Sequence, residues 1–171
     1  MLKGTQTLNK TISSELKKFG ITRCVLGNEY HYDYTDDHIM YKLELTYEDE
    51  LFSEFLKDRF NFDDNGLEFI FSLFHEVGHS LANEEIEGTL YEFCQEEKAR
   101  IDTEMLTAET EEEVRKLEFQ YFNLPDEIMA TAWAVKYMKA HEFEISKMWA
   151  VMRDAILTFY DLNGLFQDTE D

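Results

Sequence analysis

The chain predicts an α+β fold that is mostly helical, with a small antiparallel sheet of about three strands ahead of a long apolar helix. Apolar residues recur at helical spacing near the start of the chain and through its second half. Between residues 21 and 47 the pattern changes to alternation, the period of a half-buried strand. One proline and seven glycines in 171 residues favour helix over an all-β design. That length suits a single domain, residues 1–171, and 44% hydrophobic and 15% aromatic content mark it as globular.

Each element has its own signal. Leu8, Ile12, Leu16 and Phe19 define a first helix, which Gly20 is placed to close as C′. Residues 21–26 read as a strand, followed by a Gly27-Asn28 turn. Tyr30, Tyr32 and Tyr34 alternate with His31 and Asp33 in a second strand, and Asp36-Asp37 marks the next turn. Tyr41, Leu43, Leu45 and Tyr47 form the apolar face of a third. Turns this short suggest an antiparallel meander. Residues 48–60 return to helical spacing through Leu51, Phe52, Phe55 and Leu56. Residues 67–81 are charged only at Glu68 and Glu76, histidines aside, as in a buried helix. Asn65 reads as its N-cap and Glu68 as the N3 partner in a capping-box variant. Leu90, Phe93, Cys94 and Ile101 fit one further helix, and Thr110 with Glu113 is a capping box opening the next. Pro125 suits the first turn of a helix running to about His141. Ile145, Met148, Trp149, Met152, Ile156 and Phe159 line a last helix that Gly164 ends, with 165–171 expected to form a flexible tail.

The apolar helix carries His75-Glu76-Val77-Gly78-His79, an H-E-x-x-H motif. Positions i and i+4 share a helix face, so both imidazoles can reach one metal ion, and Glu76 can act as general base on a water. This is the zincin arrangement for metal-assisted hydrolysis. Gly78 costs roughly 1 kcal/mol against Ala within a helix, which a closely packed neighbour or substrate would explain. Catalytic zinc uses three protein ligands and leaves a fourth position for water. The extended metzincin signature needs Gly and His where this chain has Ala82 and Glu85. Glu85 as a local ligand lacks the glycine that would turn the chain back.

Further on, Glu127, Ala130, Trp133 and Ala134 give the spacing Glu-x-x-Ala-x-x-Trp-Ala. This resembles the second motif of phage- and mobile-element-associated zinc metallopeptidases of the ImmA/IrrE class. The resemblance covers roughly residues 70–140. It implies a minimal zincin-like (gluzincin) fold, one zinc ion per chain, and His75, His79 and Glu127 as its ligands. Glu118 is the runner-up for the third position. Ala130 and Ala134 would give the flat face on which the two helices pack, and Thr131, one turn past Glu127, could support a ligand. The resemblance also implies hydrolysis of a peptide bond, with Glu76 catalytic, in a regulatory protein. An edge strand could hold such a substrate by strand addition. The acidic segment 84–118 lengthens the interval between the motifs and reads as a helical insertion.

The formal net charge is −21, which repels phosphate backbones and argues against direct nucleic-acid binding. Residues 84–118 concentrate it, with 13 Asp/Glu against 4 Lys/Arg, and read as a solvated face on two helices. The competing function is a non-enzymatic acidic binding protein or DNA mimic, or a degenerate zincin whose metal is structural. No signal-peptide pattern or membrane-spanning run stands out, so the cytoplasm is the expected location. Cys24 and Cys94 make no metal or disulfide framework and read as core residues. His31 and His38 are expected to be exposed, and His141 too far along its helix to join Glu127 at a metal.

Overall fold

A computed structural model describes residues 2–43, 50–64, 66–82 and 88–165, the side chains of 50 and 82 apart. The chain divides into two compact units. One takes residues up to Leu43 and from Met138 onward, and the other takes Glu44–Tyr137.

The first unit is α+β. Helix α1, Thr5–Leu16, buries Leu8, Ile12 and Leu16. It tightens into a 3-10 turn at Lys17–Phe19 and stops at Gly20, whose φ of 88° is the left-handed conformation expected of a closing glycine. Helix α7, Glu142–Asn163, buries Ile145, Met148, Met152, Ile156 and Phe159, and Gly164 at φ 60° ends it. The strands are β1, Cys24–Leu26, β2, His31–Asp33, and β3, His38–Tyr41.

The sheet corrects the expected meander. Its order is β1-β3-β2, with β2 antiparallel to β3 but β1 parallel to it, so the sheet is mixed. Among the described strands only the Asp36-Asp37 turn closes a hairpin. The reason lies on the outer edge of β1, where α1 provides the partners. Ser13 Oγ accepts from the Cys24 N–H at 2.8 Å, and Asn9 Oδ1 accepts from the Leu26 N–H at 3.0 Å. With those donors satisfied by helix side chains, β2 pairs with the far edge of β3 instead. Asn9 Oδ1 also accepts from the Tyr41 hydroxyl at 2.7 Å, tying α1 to the central strand. The strands are shorter than the alternation suggested. Leu43 falls beyond β3, and Leu45 and Tyr47 lie outside the described residues. His31 is exposed as expected, but His38 is buried within β3.

The second unit is helical where described: α2, Glu50–Phe60, α3, Glu68–Ala82, α4, Thr89–Met105, α5, Glu111–Phe122, and α6, Pro125–Ala140, up to Tyr137. Phe52, Phe55, Phe71 and Phe122 form an aromatic cluster, with Phe52 and Phe122 centroids 4.9 Å apart. A second cluster joins Ile101, Leu117 and Leu124, with Met105, Ala108 and Tyr121 against it. The Thr110–Glu113 capping box forms as expected. Because α3 starts at Glu68, that residue opens the helix and is not at N3; Asn65 lies outside the described residues. On α4 the expected stripe is only half right. Cys94 and Ile101 are buried, whereas Leu90 and Phe93 are exposed. No helix among the described residues is long and apolar enough to cross a membrane.

Candidate metal centre on helices α3 and α6

Two helices of the second unit meet closely enough to bring three donor side chains together. A Cβ added at Gly78 would lie 2.6 Å from the Ala130 carbonyl oxygen and 2.7 Å from its Cα. Real side chains do not tolerate such contacts with backbone, so glycine is what permits this approach. Ala130 and Ala134 are fully buried and provide the flat face of α6.

His75 and His79 from α3 then converge with Glu127 from the first turn of α6. His75 Nε2 lies 3.0 Å from Glu127 Oε2 and 3.1 Å from His79 Nε2. His79 Nε2 lies 3.4 Å from Glu127 Oε1. Four ligands at about 2.1 Å from a tetrahedral zinc lie about 3.4 Å from one another. The three donors therefore already hold nearly the spacing that a metal requires, and one ion could bind all three. Thr131 Oγ1 lies 3.1 Å from His75 Nδ1. In the tautomer that leaves Nε2 able to ligate, Nδ1–H donates to that hydroxyl and sets the plane of the ring. Phe52 and Phe71 pack beside the His75 ring, with centroids 6.4 and 6.5 Å away. His79 and Glu127 are buried, while His75 keeps 13% of its side chain exposed, which leaves the cluster an opening to water.

The electrostatics favour an ionised glutamate. Burial pushes the Glu127 carboxyl upward, but hydrogen bonds from His75 and His79, and their charge, outweigh it and hold the group well below the usual carboxylate range. Glu76 is buried on the same turn as His75.

Two further groups at this site come from the two helices of the acidic segment, α4 and α5. Lys98 of α4 places Nζ 2.5 Å from Glu127 Oε1 and 2.6 Å from Asp126 Oδ2. Burial lowers its ammonium, but the Glu127 charge more than offsets this and keeps it protonated. Its Nζ also sits 5.4 Å from the centroid of the Tyr121 ring. The Tyr121 phenol is pushed upward by burial and then by the charge of Glu127, with Glu76 also contributing. Tyr121 thus lies beside Lys98 at this centre, and its sequence context did not single it out from the nine tyrosines. A signal for Lys98 was present: it falls on the same helical stripe as Cys94 and Ile101, a buried face.

Other candidates fall elsewhere. Glu118 is not among the described groups that could share a metal, and Glu85 lies outside the described residues. His141 is exposed ahead of α7. Both cysteines are buried, with burial pushing the Cys24 thiol up to about 11 and the Cys94 thiol also upward, as befits core residues. No family model, curated protein or solved structure matches this chain.

Proposed function

We propose that the chain is a zinc-dependent peptidase with a zincin-type site, acting in the cytoplasm on a protein or peptide substrate. The observation that carries this reading is the triangle of His75, His79 and Glu127 donors, 3.0 to 3.4 Å on a side. It is built on an H-E-x-x-H helix and reached from solvent at His75. A divalent ion held there would supply Lewis acidity, polarising a carbonyl and making water nucleophilic near neutral pH.

The chain's own residues would do the rest. His75, oriented by Thr131, and His79 hold one side of the site, and Glu127 closes the other. Glu76 takes the proton from the attacking water and returns it to the leaving amine. Lys98 puts a positive charge beside the carboxylates, with the Tyr121 ring next to it, and that charge would stabilise negative charge developing on a substrate oxygen. Resemblance to the ImmA/IrrE class suggests a regulatory protein as substrate.

Glu76→Gln should retain zinc and lose about 10²- to 10⁴-fold in cleavage rate, the usual worth of a general base. The test is digestion of a peptide library, read by mass spectrometry, alongside metal analysis of both proteins. Cleavage at the wild-type rate by Glu76→Gln would remove Glu76 from the mechanism.

A second reading rests on Lys98. Its ammonium supplies counter-charge to the buried Glu127. The cluster is then a metal-free ion network that fixes α4 against α6, and the protein is not an enzyme.

A further inference from the structure

We propose that the β2–β3 hairpin forms a second divalent-cation site, made by Asp33, Asp36 and His38 and suited to a zinc-class ion. It belongs to the first unit and stands independently of the α3–α6 centre. A carboxylate oxygen from each aspartate and a ring nitrogen of His38 all lie within 4.8 Å of one another. Asp33 and His38 are register partners across the hairpin, and Asp36 sits in the turn between them.

Carboxylates near a turn are common and mark no site on their own. His38 is what distinguishes this one. It is 7% exposed, and its Nδ1 is buried without a hydrogen-bond partner. Withdrawing an imidazole nitrogen from water with nothing to bond is unfavourable, and a bound cation, or water on it, would satisfy the ring. Its neighbour in sequence shows the contrast, because Asp37 is engaged elsewhere, accepting from the Tyr32 hydroxyl at 2.6 Å. Among the described residues no lysine or arginine pairs with Asp33 or Asp36.

The turn also holds the Asp33 carboxylate in place. Asp33 Oδ1 accepts from the N–H groups of Thr35 at 2.7 Å and Asp36 at 3.0 Å. A tetrahedral site needs donors roughly 3.4 Å apart, and these three already lie within 4.8 Å of one another. One imidazole with two carboxylates favours zinc or a similar borderline ion, whereas calcium wants six to eight oxygens.

The test is equilibrium dialysis of the full chain against zinc, comparing wild type with Asp36→Asn, His38→Gln and His79→Ala. Two equivalents in wild type, with one lost in each variant, is the expected result. Asp36 is exposed, so Asp36→Asn preserves the fold even if His38→Gln does not. Asp36→Asn binding as many ions as wild type overturns the hairpin site. So does a single wild-type equivalent that disappears in His79→Ala and persists in Asp36→Asn. A single equivalent lost in Asp36→Asn and kept in His79→Ala supports the hairpin while removing the α3–α6 centre.

Discussion

At Gly78, two opposing effects can be weighed. Alanine there would gain about 1 kcal/mol of helix propensity, but the overpacking it forces typically costs about 1–3 kcal/mol. The added carbon would meet backbone of Ala130, which cannot rotate away as a side chain could. Overpacking should win. Gly78→Ala is expected to lower urea-unfolding stability and to weaken zinc binding about tenfold or more, because Glu127 rides on the helix that is pushed away. Unchanged or increased stability would show that the two helices are not held as described. Single residues were unevenly legible in the sequence. His75 and His79 could be named because helix spacing puts both on one face, whereas Glu127 was named only through the resemblance carried by the Glu-x-x-Ala-x-x-Trp-Ala spacing. His38 was expected to be exposed but is buried, because strand ends blur by a residue or two and its burial depends on what packs over β3.

Among the elements, α4 departs most from its sequence. Its charge suggested a solvated insertion, and its outer face is exposed, yet its inner face delivers Lys98 to the buried carboxylates of α6. Removing one partner of a buried pair typically costs about 3–5 kcal/mol, since the other charge is left without compensation. Lys98→Met should therefore destabilise the metal-free protein on that scale. With zinc bound, the ion itself offsets Glu127, so the penalty should shrink. The signature is a larger rise in melting temperature on adding zinc to Lys98→Met than to wild type. An equal or smaller rise would mean that Lys98 and the metal do not act on the same carboxylate. Helices and their ends were legible because caps and period are local: Gly20, Pro125, the Thr110–Glu113 box and Gly164 all mark boundaries that the structure keeps. The parallel pairing of β1 was not legible. It depends on Asn9 and Ser13 reaching β1 from α1, a contact that alternation within a strand cannot encode.

For the whole molecule, the charge of −21 sets the background on which both proposed sites work. A negative field raises the local concentration of cations and favours basic substrate segments, and it does so less at high salt. It also makes non-specific metal uptake a competitor, so a site must be identified by the ligands whose loss abolishes it. The measurement that bears most directly on the central claim is therefore the zinc content of wild type beside His79→Ala and Glu127→Ala, purified in parallel. If α3 and α6 hold one ion between them, wild type carries one zinc equivalent more than either variant, and the two variants match each other. Equal zinc in all three proteins would contradict the account and leave the His75–Glu127–Lys98 cluster as an ion network without a metal.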